Sequence, residues 1–214
     1  MKKKSEEEEQ ARLEQLLIYE NEYYAQGAAF IAGVDEVGRG PLAGPVLACA
    51  VILPKRPRIE GIDDSKRLSE KKRENLAKII RGAALAVSIG MTDVKTIDGI
   101  NILQATVKAM TEAVNGLSVR PDAVLIDALR LPGVNIPQRA IIRGDALSMS
   151  IAAASIVAKT ARDEMMCEYH ELYPEYGFDQ HKGYGTEKHI LAIREFGLCP
   201  IHRRSFSAKF TENT

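Results

Sequence analysis

Tryptophan is absent from this sequence, and cysteine occurs only three times, at Cys49, Cys167 and Cys199. Their spacing fits no metal-binding pattern, and pairing two of the thiols would leave one over. A disulfide-stapled fold is thereby disfavoured, and a reducing, cytoplasmic setting is the simplest expectation. Net charge is lacking as well, because 29 Lys and Arg balance 29 Asp and Glu. No global field therefore marks the chain as a nucleic-acid binder. No apolar run approaches the ~20 residues of a membrane-spanning helix, and the N-terminus has no apolar stretch of the secretory kind. No internal repeat occurs, and no low-complexity tract beyond the run Glu6–Glu9.

What is present suits one sizeable domain: 214 residues, 45% of them apolar, are enough for a full core. Charge is uneven along the chain. Residues 55–81 hold ten Lys or Arg against five Asp or Glu, whereas residues 1–30 hold four against seven. Residues 2–24 are dense in Glu, Gln, Arg and Leu, with Leu13, Leu16, Leu17, Tyr19, Tyr23 and Tyr24 among them. They read as one amphipathic helix ending near Gly27. Such a helix can pack on the domain, help hold a substrate or remain a solvated appendage. We therefore divide the chain into an N-terminal helical extension, residues 1–29, and a main domain, residues 30–214.

The rest is organised around Gly33-Val34-Asp35-Glu36-Val37-Gly38-Arg39-Gly40-Pro41. Phe30 to Val34 reads as a short buried strand that delivers two adjacent carboxylates to a glycine-broken turn. Paired negative charge there is costly unless compensated, and a divalent metal would compensate it. Taken alone, an Asp-Glu pair at a strand end is more often solvated or a helix cap than a metal site. The glycines flanking Arg39 allow close backbone approach to a ligand, with N–H groups and a guanidinium facing oxygen anions; an ordinary turn is the plainer reading. Gly38-Arg39-Gly40-Pro41-Leu42-Ala43 also fits the G-x-G-x-x-A dinucleotide fingerprint, which requires a helix to open at once. Instead Val46 to Leu53 is an apolar run with the look of a strand, so the fingerprint is a false match.

Further along, Ser69 is placed to cap a helix running to about Ile80, preceded by Asp64-Ser65-Lys66. Its basic face can meet phosphates or simply water. Ala84 to Met91 reads as a third strand, and Val94 to Leu117 as one long helix. Ala123-Val124-Leu125-Ile126-Asp127 is again an apolar strand ending on a carboxylate. Ile141-Ile142-Arg143-Gly144-Asp145 repeats the arrangement before a helix expected from Ala146, for which Asp145 could be the N-cap. Ala152 to Lys159 is a small-residue helix that continues through Tyr169. Tyr184, between glycines in His181-Lys182-Gly183-Tyr184-Gly185-Thr186, can stack on a sugar or base, or sit in a surface turn. Thr186 caps a helix ending at Gly197. Strands mixed with helices make this an α/β chain.

Four acids, Asp35, Glu36, Asp127 and Asp145, without a His/Cys ligand cluster, suit Mg2+ or Mn2+ rather than zinc. Two such ions ~3.5–4 Å apart can activate water and stabilise a leaving oxygen in phosphodiester cleavage. Taken together, Asp35 to Pro41, Asp64-Ser65-Lys66, Leu125-Ile126-Asp127, Gly144-Asp145, Ser150 through Asp163 and His181 to Tyr184 resemble ribonuclease HII. The motifs occur in matching order, from about residue 30 to residue 209.

That resemblance implies a ribonuclease H-like fold: a central mixed sheet flanked by helices, with a small helical C-terminal part. It implies metal-dependent hydrolysis of the RNA strand of RNA–DNA hybrids. It further implies incision 5′ of single ribonucleotides in duplex DNA, leaving 3′-hydroxyl and 5′-phosphate ends, as in ribonucleotide excision repair. Asp35, Glu36, Asp127 and Asp145 would be both catalytic and metal-binding, with two Mg2+ or Mn2+ ions. Gly38, Arg39 and Gly40 would read the ribose 2′-hydroxyl, Tyr184 would stack on the following deoxyribose, and Ser65 and Lys66 would touch phosphate. The implied partners are RNA–DNA hybrid and ribonucleotide-containing duplex DNA, met by a monomer with no membrane and no obligate protein partner. Two rivals stand beside this reading: a nuclease of the same fold indifferent to ribose, and a binding module without catalysis.

Overall fold

The computed structural model describes residues 5–211. Two short helices come first, α1 (Glu6–Gln15) and α2 (Ile18–Ala25). Ser5 caps α1 in a reciprocal capping box with Glu8. The single helix expected over residues 2–24 is thus broken at Leu16 and Leu17, and its residues 2–4 lie outside the described residues. The break has a local cause: the Leu16 carbonyl accepts a hydrogen bond from Met149, 2.8 Å away on another helix.

β1 (Ile31–Val37) and β2 (Val46–Ile52) follow, then α3 (Glu70–Ala83), β3 (Ala86–Thr92), α4 (Val94–Ile100) and α5 (Ile102–Asn115). β4 (Ala123–Asp127) and β5 (Gln138–Ile141) complete the strands. α6 (Met149–Leu172), α7 (Phe178–His181), α8 (Glu187–Phe196) and α9 (Arg204–Ser207) close the chain. The helix expected from Val94 to Leu117 is split at Asn101, which sits at φ 68° and accepts from the Leu103 and Gln104 N–H groups. Asparagine tolerates that left-handed backbone, and its side chain satisfies the orphan donors of α5.

The strands form one mixed sheet in the order β3-β2-β1-β4-β5. β1 runs antiparallel to β2 and parallel to β4; β2–β3 is antiparallel and β4–β5 parallel. Every residue of β2 is buried, because both faces are covered. Cys49 and Val51 pack with α3 and α6 on one face, whereas Ala48, Ala50 and Ile52 pack with α5 on the other. This is the three-layer α/β ribonuclease H-like arrangement. α6 lies so close to β1 that a Cβ on Gly33 would stand 2.0 Å from the Ser150 carbonyl carbon. Only glycine permits that approach, and it lets α6 settle on the strand that carries the first acids. α7 and α8 enclose a separate apolar cluster with Leu42, Met166, Tyr176, Phe178 and Ile201, the small helical C-terminal part.

Two details differ from the expected strand ends. β1 continues to Val37, so Asp35 and Glu36 lie inside the strand. β5 stops at Ile141, Arg143 turns left-handed at φ 57°, and Asp145 sits in a single 3-10 turn, Gly144–Ala146. Asp145 therefore does not end a strand. Nor does it cap the next helix, which starts at Met149 with Ser148 as its cap.

Candidate active site

Val34 pairs with Ile126 across the parallel strands β1 and β4. The next residue on each strand, Asp35 and Asp127, therefore emerges on the same face, toward α6. Oxygens of Asp35, Glu36 and Asp127 lie within 4.8 Å of one another. Burial, and then the charges of Glu36 and Asp127, hold the Asp35 carboxyl well above the usual carboxylate range, although Ser155 and the Glu36 N–H donate to it. Burial raises Glu36 too, opposed by Arg39, whose Nη1 is 3.4 Å from the Glu36 carboxylate. Asp127 Oδ1 accepts from the Gly144 N–H at 2.7 Å, tying β4 to the turn of Asp145.

Asp145 is buried at the edge of this group and is not among the three that converge within 4.8 Å. Burial, followed by Asp64 and Asp127, raises its carboxyl. Lys66 faces the same acids. Burial disfavours its charge, but Asp145, Asp64, Asp35 and Asp127 outweigh that and raise its pKa. Asp35 and Glu36, whose carboxyls are raised beside the Asp127 carboxylate, are short of positive charge. An all-oxygen donor set of that kind fits a hard divalent cation such as Mg2+ or Mn2+.

The Gly38-Arg39-Gly40 loop lies beside the acids and is held from beneath by two guanidiniums with no exposed surface. Arg203 donates to the carbonyls of Gly38, Arg39 and Gly44, the last two at 2.9 Å. Arg162 donates to Pro45, Ala43 and Lys182 carbonyls at 3.1, 3.0 and 2.9 Å. Neither arginine forms an ion pair among the described residues, and burial pushes them down to about 9 (Arg203) and about 10 (Arg162). Gly38 has φ +90°, and a Cβ there would meet Arg162 Nε at 2.3 Å, so the loop is fixed in a shape only glycine allows.

Tyr184 comes to this loop from the far end of the chain. Its ring is 3.7 Å from the Cβ position of Gly40, and the Leu42 N–H donates to the Gly183 carbonyl at 2.8 Å. Tyr184 is 45% exposed, which leaves a ring face open beside the loop. Lys66 sits in a 3-10 turn, Ser65–Arg67, whose cap Asp64 accepts from the Lys66 N–H. Ser65 is different. It is 3% exposed, and its hydroxyl lies 2.9 Å from that of Ser155 on α6.

Sequence reasoning picked out the acids, the loop, Ser65, Lys66 and Tyr184; the structure brings Asp35, Glu36 and Asp127 together, sets Lys66 facing them and lays Tyr184 against the loop at Gly40. It missed Arg162 and Arg203 as loop supports and Ser155 as the donor to Asp35. Ser155 falls in the stretch from Ser150 to Asp163, but nothing local separates it from its small neighbours. The buried arginines carry no sequence signal, because their partners are backbone carbonyls.

The sequence model of the family described as Ribonuclease HII matches residues 32–209. Among curated relatives, the chain is 53% identical over 210 residues to ribonuclease HII of Ruminiclostridium cellulolyticum, covering 98% of this chain and 82% of that protein. It is 56% identical over 191 residues to ribonuclease HII of Geobacter metallireducens, covering 89% and 90%. Among solved structures, ribonuclease H2 of Pyrococcus horikoshii superposes with a TM-score of 0.71 at 26% identity, covering 86% of this chain and 100% of that one. The ribonuclease HII of Archaeoglobus fulgidus, solved as a complex with PCNA, shares the fold with a TM-score of 0.74 at 22% identity, covering 86% and 98%.

Proposed function

The chain belongs to the ribonuclease HII family and is an endonuclease acting on the RNA of RNA–DNA hybrids, and from that premise we propose that it also incises duplex DNA on the 5′ side of single embedded ribonucleotides, as a step in their excision. The observation that carries this reading is the meeting of Asp35, Glu36 and Asp127 with the Gly38-Arg39-Gly40 loop and Tyr184 on one surface. A nuclease indifferent to ribose would not need the second half of that arrangement.

In this reading Asp35, Glu36, Asp127 and Asp145 hold two Mg2+ or Mn2+ ions. Bound ions of this kind lower the pKa of water and neutralise charge on a leaving oxygen. The protein does the positioning. Gly38, Arg39 and Gly40 meet the ribose 2′-hydroxyl through a backbone whose carbonyls Arg203 has already fixed, so little ordering remains for binding. The Tyr184 ring packs on the next sugar in the 3′ direction, where a 2′-hydroxyl would crowd it. Lys66 contacts phosphate and opposes the negative charge of the acids, while Ser65 holds its turn in place. Hydrolysis leaves 3′-hydroxyl and 5′-phosphate ends. Residues 30–214 carry this chemistry within one chain, which acts as a monomer in the cytoplasm. No helix among the described residues is long and apolar enough to cross a membrane.

The test uses three labelled duplexes: all-DNA, DNA with one ribonucleotide, and an RNA–DNA hybrid, each with Mg2+, with Mn2+ and with chelator. Metal-dependent cuts are expected in the hybrid and immediately 5′ of the single ribonucleotide. Cutting of the all-DNA duplex would return the protein to a ribose-indifferent nuclease. Binding without cleavage of any duplex would make it a recognition module.

A further inference from the structure

The two N-terminal helices fall before residues 32–209, the span that the family model matches, and their contacts converge on one place. α6 is the longest helix in the described residues, and the first N–H groups of any helix need partners from outside it. Here the partners can be named one by one. The Met149 N–H donates to the Leu16 carbonyl at 2.8 Å, at the junction of α1 and α2. The Ser150 N–H donates to Glu20 Oε1 at 2.9 Å. The Ile151 N–H donates to the hydroxyl of the cap residue Ser148 at 3.3 Å, and that hydroxyl in turn donates to Glu20 Oε1 at 2.6 Å. The extension thus supplies two of the three partners directly and anchors the third.

The same cap is joined to the turn of Asp145. The Ser148 and Leu147 N–H groups both donate to the Gly144 carbonyl, at 2.8 and 3.0 Å. On its other side the turn is fixed by the Gly144 N–H to Asp127. Asp145 therefore hangs between two anchors, Asp127 on the sheet and Glu20 in the extension. Glu20 is 1% exposed, and its second oxygen is buried without a hydrogen-bond partner. A carboxylate buried in that state costs stability, the pattern of a functional site rather than of a core. The extension also braces the approach to Lys66, through Arg12 to the Ile62 carbonyl at 2.7 Å and Glu9 to the Gly61 N–H at 2.8 Å.

We propose that the N-terminal helix pair is a positioning element of the active site, in which Glu20 and the Leu16 carbonyl hold the start of α6 and so set the turn that carries Asp145. The inference rests on the reading of Asp145 as a metal ligand. Outer partners of that kind commonly change metal affinity by about 10- to 100-fold when removed.

The test measures Mn2+ titrations on the full chain by two readouts, the rise in Tm caused by Mn2+ alone and the Mn2+ dependence of hybrid cleavage. Glu20→Ala should raise the Mn2+ midpoint about tenfold in both and leave the KM for the duplex unchanged, a split that general destabilisation would not produce. Glu20→Gln, whose amide oxygen still accepts both hydrogen bonds, should stay close to wild type. Should Glu20→Ala fail to fold, Ser148→Ala, which loses the hydroxyl's bonds to Glu20 and to the Ile151 N–H but keeps the Ser150 N–H on Glu20 and the Met149 N–H on the Leu16 carbonyl, should shift the midpoint in the same direction. A folded Glu20→Ala or Ser148→Ala protein with the wild-type midpoint overturns the proposal, provided Asp145→Asn abolishes part of the Mn2+ response. An Asp145→Asn protein that responds like wild type overturns instead the assignment of Asp145 as a ligand.

Discussion

Asp35 is an acid whose charge is hard to hold in the folded protein. Burial and the adjacent carboxylates raise its proton affinity in the folded state, so near neutral pH its ionised form works against folding until a cation arrives. Asp35→Asn or Asp127→Asn should therefore lower cleavage by about 10³-fold or more, the equivalent of several kcal/mol of lost charge stabilisation. Without metal, the same variants should melt at or above the wild-type temperature. Single-turnover cleavage and metal-free calorimetry check the two halves, and an Asp127→Asn enzyme at wild-type rate would refute the site. In the proposed role Tyr184 acts by contact rather than charge. Tyr184→Ala should lose ~1–3 kcal/mol of stacking, about 5- to 150-fold, on a single embedded ribonucleotide. Loss inside an all-RNA stretch should be smaller, and equal losses on the two substrates would mean that the ring supports only the fold. Asp35, Glu36 and Asp127 were legible in the sequence because an apolar run stopping on acid is a local signal. Arg203 and Ser155 were not, because a lone buried polar residue is explained only by partners that tertiary structure brings to it.

Elements read from periodicity alone held best where one force decided them. β4 and α8 match their expected bounds, since an apolar run and a Thr186 cap leave little freedom. The reading failed where side chains or distant backbone compete with the local pattern. Asn101 breaks a helix whose apolar spacing is continuous, and Asp145 sits in a turn after a strand that ends early. The connection between α8 and α9 holds a device with no sequence signature. Cys199 N–H donates to His202 Nδ1 at 3.0 Å, so His202 Nε2–H donates to His189 Nε2 at 3.0 Å, and His189 Nδ1–H to the Tyr184 carbonyl at 2.9 Å. The chain works only with both rings neutral. Burial pushes each down to about 4, with the neighbouring histidines adding to the shift. Unfolded histidine titrates near 6.5, so from there down to about 4 the unfolded chain binds more protons, and this stabilisation, complete above that window, is lost as pH falls. Urea unfolding across pH 7 to 4.5 should show the wild-type advantage over His189→Asn shrinking on acidification. A constant difference would mean that the pair does not titrate on unfolding.

At the scale of the whole molecule, the topology was only partly open to inspection of the sequence. Strands and helices could be counted, but the order β3-β2-β1-β4-β5 depends on which faces are covered, and that appears only on assembly. The parallel pairing of β1 with β4 has a further consequence, for time rather than for structure. Asp35 and Asp127 are separated in sequence by β2, β3 and α5, and Asp145 lies further on, just before α6, so the acids come together only through contacts between distant parts of the chain. Such non-local closure is slow, on the order of milliseconds to seconds, and no shorter stretch of chain assembles a working set of carboxylates. Cutting ability should therefore emerge late and all at once. In refolding from urea with Mn2+ present, hybrid cleavage should return with the final tertiary phase, and an early burst of activity would refute this. A nascent chain of this protein, surrounded by RNA while it is being made, carries no blade until its folding is done.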